Sequence, residues 1–460
     1  MKKKKMLPLI LMTLLLVVLA ISFFALKKNN ESEKEETEEA SEVILQAEEK
    51  SMLTLSITNG QGTMEFTRDA SEGTWKYTED EDFPLDTTKI TAITDSLSEL
   101  KAVRHLEDTL DNINEYGLDN PAYTLKITGD NNVTLYIGNK TTTGNYYAYT
   151  DGSDTVYTIE STLPDSLNIT ENDIVIMEEV PSITDSDVYG LVINGAQYDY
   201  FESGNEQYDY TLSNNWFAKE NDGTYIALDT TAVNDVITAI TGMTYTGCAQ
   251  YKASEDELAK FGLDNENKKS VTIKYRESES TGESETEGDN SVKIEKEFSF
   301  DIGNQNEDGD YYVKASDSNM INTVSKDSIE AMLKDTKLLI TKNAFGINIS
   351  SVTSLKADVK GTSYDIAENG ELTDSSKYDA VYKEIFDLQA ESVIEDDTTI
   401  LPIDSELTLT YNTSVAGFDT VTMEFTKYNG SYYQATINGD TNLLVLKTKI
   451  DSIISQLGET

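Results

Sequence analysis

The residues with the best claim to chemistry are three glycine–tyrosine signatures: Gly144-Asn145-Tyr146-Tyr147, Gly309-Asp310-Tyr311-Tyr312 and Gly430-Ser431-Tyr432-Tyr433. Paired tyrosines behind a turn glycine are able to stack on a sugar ring or a peptide, so Tyr146, Tyr147, Tyr311, Tyr312, Tyr432 and Tyr433 form the candidate binding surface. The plainer reading is that one tyrosine of each pair packs inward while its neighbour covers a sheet face, and it is the stronger one. Other candidates are weaker. His105, the single histidine, excludes histidine-rich metal sites and reads as a helix-end or surface residue rather than a base. Cys248, the single cysteine, has no intramolecular disulfide partner and reads as a small buried hydrophobe. Asn304 to Asp310 opens like a calcium loop, but its twelfth position is Ala315 rather than Glu, which favours a β-turn. Asp119 and Asp264 read as Asx turns after helix ends. The chain has no Gly-x-Ser-x-Gly, phosphate loop, His-Glu-x-x-His or Cys-x-x-Cys. Carboxylates are so abundant that no acid and base pair stands out. No catalytic, cofactor or metal residue is assigned, and no cofactor is expected.

Composition narrows the partners. Acidic residues outnumber basic ones by 83 to 36 and give a formal charge of −47, which excludes nucleic acid and favours solubility. The N-terminus differs from the rest. Lys2 to Lys5 precede an uncharged run from Met6 to Leu26, closed by Lys27 and Lys28. Twenty-one residues at 1.5 Å each reach about 31 Å, enough to cross a hydrocarbon core of about 30 Å. The run lacks a small-x-small exit, so residues 1–28 read as a membrane anchor, with a cleaved signal as the alternative. The lysine bias places the N-terminus in the cytoplasm and the bulk of this single-pass chain outside the cell membrane.

Internal recurrence sets the architecture. Upstream of the first two glycine–tyrosine signatures stand a lone tryptophan (Trp75, Trp216), an aromatic-Gly-Leu-Asp (Tyr116-Gly117-Leu118-Asp119, Phe261-Gly262-Leu263-Asp264) and an Ile-Gly-Asn around Gly138 and Gly303. After an acidic spacer at 29–50, this predicts three tandem α+β repeats at 51–180, 185–345 and a diverged 346–460. Each holds antiparallel hairpins forming a sheet, with one or two packed helices. Asn59-Gly60 and Asn194-Gly195 read as primed hairpin turns. A helix follows, with Ile90, Ile93, Leu97 and Leu100 on one stripe, and likewise Val233, Val236, Ile240 and Met243, then Tyr378, Val381, Ile385 and Leu388. The pairs Thr87-Thr88, Thr230-Thr231 and Ser375-Ser376 stand where N-caps are wanted. Ser254-Glu255-Asp256-Glu257 is a capping box opening a short helix that ends at Gly262; Gly117 closes its counterpart, whereas Leu401-Pro402-Ile403 cannot do so in the third repeat.

A second hairpin pairs Tyr123, Leu125 and Ile127 with Val133, Leu135 and Ile137. Its counterparts pair Val271, Ile273 and Tyr275 with Ile294, Phe298, Phe300 and Ile302, and Leu407, Leu409 and Tyr411 with Val421, Met423 and Phe425. The second copy carries some twenty extra residues, an acidic loop at 277–291.

The order Trp, helix, Tyr-Gly-Leu-Asp-x-Pro, Ile-Gly-x and Gly-x-Tyr-Tyr resembles the repeat of the domain-of-unknown-function 4340 family. Residues 75–160 match fully, including Pro121, and 216–325 match with Glu266 near the proline position; 346–460 match in pattern only. The resemblance implies a membrane-anchored extracytoplasmic protein of the bacterial envelope, some members being encoded beside ABC transporters. It supplies no catalytic residues. The expectation is a non-enzymatic interaction or scaffold module accessory to an ABC transporter or envelope complex. The alternatives are a cell-wall or glycan-binding module and, least of all, an envelope hydrolase.

Overall fold

The computed structural model describes residues 42–280, 291–394, 404–439 and 441–459. The expected anchor at 6–26, most of the acidic spacer, the tip of the acidic loop and the Leu401-Pro402-Ile403 segment lie outside the described residues. Among the described residues no helix is long and apolar enough to cross a membrane.

The chain is a mixed α/β protein, rich in strand and with few helices. Alternating apolar residues build three large antiparallel sheets with one shared strand order. In the first, the hairpin Met52–Asn59/Gly62–Arg68 opens the sheet and Trp75–Tyr77 extends it outward. Helix Thr87–Ser98 then carries the chain to Arg104–Thr109 at the opposite edge. The central hairpin Tyr123–Gly129/Val133–Lys140 pairs beside the opening strand, and Tyr146–Thr150 and Thr155–Ile159 fill the gap to the far edge. The second sheet repeats this order from Val188–Ile193 to Ile321–Val324 and adds one edge strand, Tyr225–Ala227. The third runs from Val352–Val359 to Thr441–Leu446 and has Glu371–Leu372 at its near edge.

The helices form where the stripes predict, but their details differ. Each main helix, Thr87–Ser98, Thr230–Thr241 and Ser375–Phe386, has 12 residues. The first three stripe residues lie on it, and the fourth (Leu100, Met243, Leu388) lies past its end, still buried. The caps are Asp86, Asp229 and Asp374, not the Thr or Ser pairs. A carboxylate just before the pair accepts a backbone N–H of the first turn and also favours the positive end of the helix dipole. The first expected turn also differs. Asn194 and Gly195 have φ of +49° and +89° as a type I′ turn requires, but Asn59 stays on its strand opposite Gly62. Its buried amide instead donates to Leu167 O at 2.9 Å and Ile169 O at 2.8 Å, pinning the segment that follows the sheet.

The central hairpins pair as expected in the first and third sheets. In the second, Tyr275 is buried but faces Lys296, and Ile294 faces Glu277 and is exposed. The acidic insertion there is not all loop, since its strands run through Ser280 and resume at Ser291.

The described residues divide into two compact units, one ending at Ile176 and one beginning at Met177. The first holds the first sheet, over a core that includes Leu55, Ile57, Phe66, Ile90, Leu125 and Ile137. It also takes in residues 43–50, which composition had put in the spacer: Val43–Leu45 pairs with Leu100–Lys101 and buries Leu45. The second unit holds the other two sheets over one continuous core. An insertion in the second sheet, helix Glu206–Thr211, joins them. Phe418, in the central hairpin loop of the third sheet, stacks on Tyr210 of that helix at 4.0 Å and lies edge-on to Phe217 at 5.7 Å. Tyr225 N donates to Gly417 O at 3.0 Å, and Asn348 N to Tyr210 O at 2.8 Å. Phe418→Ala should cost about 3–5 kcal/mol, the usual loss for a buried Phe. The expected readout is a lower thermal midpoint with faster hydrogen exchange at the Tyr225 and Asn348 amides; unchanged protection at both would contradict it.

Candidate functional site

The signatures of the first two copies converge on one joint. The short 3-10 helices Leu110–Tyr116 and Glu255–Phe261 end at Gly117 and Gly262, whose φ of +68° and +69° only glycine adopts freely. The second of them opens with the expected capping box at Ser254 and Glu257. Each helix end presses its last carbonyl against the glycine of Ile-Gly-Asn. A Cβ on Gly138 would lie 2.3 Å from Tyr116 O, and one on Gly303 would lie 2.1 Å from Phe261 O. The neighbouring Asn139 and Asn304 side chains fill the space beside Gly117 and Gly262, where a Cβ would meet them at 2.5 Å.

The same glycine and asparagine make a β-bulge. Ile137 faces Ala148, yet Lys140 faces Tyr146; Ile302 faces Val313, yet Gln305 faces Tyr311. One strand spends an extra residue in each case. The bulge sets the tyrosines. Tyr147 packs on Tyr116 with ring centroids 4.7 Å apart, and Tyr312 packs on Phe261 at 4.9 Å. Tyr146 sits against Tyr123 at 6.5 Å, with Lys140 Nζ 5.1 Å above its ring and its hydroxyl donating to Asp165 at 3.4 Å. Tyr311 faces Val324 and is half-buried, as are Tyr146, Tyr147 and Tyr312.

The third signature is not equivalent. Its strand has no bulge: Phe425 faces Ala435 and Lys427 faces Tyr433 in regular register. Tyr433 therefore occupies the place of Tyr146 and Tyr311, and Tyr432 falls one residue out of step. Gly430 also lacks the positive φ of Gly144 and Gly309. Tyr433 is buried, donates to Asp451 at 3.0 Å, and its hydroxyl pKa is pushed up, chiefly by burial. Around it, Glu406 pairs with Lys360 at 2.7 Å and Lys427 at 2.9 Å, and these bonds hold its carboxyl below the ordinary 4.5.

The tryptophans occupy corresponding strands. Trp75 faces Arg68 and Trp216 faces Tyr200, each on the strand beside the opening hairpin, and both are buried. Trp75 Nε1 donates to Glu49 at 2.7 Å. Asp264 closes an Asx turn onto Glu266 N at 3.0 Å; the bond from the Asn267 side chain, and then this one, lower its pKa. Asn306 Oδ1 accepts from Asp308 N at 3.0 Å and Asp310 N at 2.9 Å, so the calcium-like segment is a closed turn. Among the described residues no group of three or more His, Cys, Asp and Glu side chains is placed to hold a metal ion. His105 lies exposed on an edge strand, 3.5 Å from Glu42, and Cys248 is half-buried on the matching strand. One aromatic grouping escaped sequence reasoning. Tyr136 and Tyr149 stack at 4.7 Å on the face opposite the core, which Tyr147 shares; only the cross-strand register reveals it.

The repeated marks of the first two sheets are thus packing devices within strand-rich sheets. The family Domain of unknown function (DUF4340) matches residues 75–255 and again 216–404, and the chain belongs to it. Both matches start on a tryptophan and stop between the far-edge strand and the central hairpin of the next sheet. No curated protein and no solved structure matches the chain.

Two outcomes follow from the joint and its replacement. Gly303→Ala should destabilise by about 1–3 kcal/mol or more, because the new Cβ meets backbone that cannot retreat. Gly430→Ala, with open space around it, should change stability by less than about 0.5 kcal/mol. Comparable melting shifts for both would refute the joint. Glu406 stabilises above its unfolded pKa and loses that contribution as pH falls through its lower folded value. Thermal stability should thus drop on acidification below about pH 4.5, and Glu406→Gln should flatten that drop by about 1 kcal/mol or less. An identical acid profile for the variant would show that the pair contributes nothing.

Proposed function

We propose that this chain is a membrane-tethered, extracytoplasmic scaffold of three tandem copies of one α+β repeat, acting without catalysis as an accessory to an ABC transporter or related envelope complex. The observation that carries the reading is the lysine-bracketed apolar run Met6–Leu26 ahead of a strongly acidic, strand-rich body. The shared strand order and the corresponding tryptophans support the copies. The joint supports a scaffold, because the signature residues are consumed by packing and leave sheet faces and loops for recognition. The family's transporter association, an implication of resemblance, selects the partner.

A second reading has its own observation. The stacked Tyr136 and Tyr149 beside Tyr147 give the first sheet an aromatic outer face suited to a cell-wall glycan.

Gentle detergent extraction of the full chain separates the two. Co-purification with transporter subunits is the expected outcome. A lone monomer that instead sediments with peptidoglycan would replace the first reading with the second.

A further inference from the structure

The described chain is fastened to the first unit from its first residue. Ala102 N donates to Glu42 O at 2.8 Å, Val43 faces Lys101, and Ala47 N donates to Leu97 O at 3.0 Å. His105 Nδ1 lies 3.5 Å from Glu42 Oε2, so residues 42–43 and 101–105 form one continuous strip. The strip differs in character from the rest of the protein. Val43 and Val103 are 42% and 50% exposed, among the few large apolar side chains left in solvent. Lys101, Arg104 and His105 are exposed beside them; two carboxylates sit close by, Glu99 at 3.1 Å from Lys101 Nζ and Glu42 at 3.5 Å from His105 Nδ1. Elsewhere acidic residues outnumber basic ones more than twofold, 83 to 36 over the whole chain.

The strip is also where the chain arrives from its N-terminus. Only residues 29–41 separate Lys28 from Glu42. Fourteen peptide steps span at most about 50 Å even when fully extended. If Met6–Leu26 spans the bilayer, the strip is held at high effective concentration against the lipid surface it emerges from. A chain of net charge −47, its anchor lysines included, carries a body that anionic headgroups repel over most of its surface, which disfavours other orientations. An edge that sets the cations Lys101 and Arg104 beside exposed aliphatics suits the interface, where cations meet phosphates and apolar side chains enter the acyl boundary.

We infer that the Val43–Lys101–Val103–Arg104 strip lies on the anionic lipid headgroups around the chain's own anchor and sets the orientation of the first unit. The inference rests on the anchor reading above, and the test separates the two. The full chain is reconstituted into phosphatidylcholine–phosphatidylglycerol vesicles, and flotation reports the anchor. Acylation of Lys101 by a water-soluble amine reagent is then followed by mass spectrometry, with exposed Lys76 as internal control. Lys101 should react several-fold more slowly in vesicles than in detergent, while Lys76 does not change. A fluorophore on Val103→Cys, in a Cys248→Ser background, should be quenched by acyl-brominated lipid several-fold more than one on Ser71→Cys. Lys101→Glu with Arg104→Glu should abolish the difference without affecting flotation. Vesicles that float with the protein yet leave Lys101 as reactive as in detergent overturn the strip and spare the anchor. Protein that fails to float overturns both.

Discussion

A strand glycine that leaves room for a helix-end carbonyl is the contact on which the first two sheets depend. Gly138 and Gly303 each accept a backbone oxygen where any side chain would collide with it. The approach bends the strand into a bulge, the following asparagine closes over a left-handed glycine, and the shift turns the second tyrosine onto the aromatic that ends the helix. Three motifs that look independent along the chain are one object in space. They recur together in the first two sheets, and the third keeps only the glycine–tyrosine signature. Its strand runs straight, its tyrosine turns inward, and an ion-pair cluster around Glu406 occupies the neighbourhood.

The second unit shows how two similar sheets become one body. The common strand order offers no obvious socket between neighbours. The second sheet gains one through additions: the helix Glu206–Thr211 and the edge strand Tyr225–Ala227. Together they make an aromatic platform for Phe418, while Asn348 donates through both backbone and side chain to the end of the inserted helix. The energetics are those of a domain core. Flat aromatic stacking and buried amide bonds replace the polar, water-rich contact typical of loosely linked domains.

Much of this was legible from residue patterns. Period-two runs located the central hairpins, and period-three-to-four runs located the helices, since burial on one side imposes both. Failures came where a backbone decision hangs on a distant partner. Asn59-Gly60 looks like a primed turn, but Asn59 is needed on the strand to hold Leu167 and Ile169, over a hundred positions away. Thr and Ser at helix starts hid the aspartates that cap them. The third glycine–tyrosine signature matched by letter and failed by register, because a bulge upstream decides which way a tyrosine points. The Tyr136–Tyr149 stack was invisible for the same reason: residues on different strands become neighbours only once pairing is known.

Each large sheet begins on a short edge strand. Trp75–Tyr77 and Tyr225–Ala227 have three residues each, and Glu371–Leu372 has two. Near edges this brief expose few unpaired amides to template a foreign strand, whereas the far edges are longer, six residues in Arg104–Thr109 and four each in Gly247–Gln250 and Ala390–Val393. Each sheet is therefore guarded against strand addition on its near side.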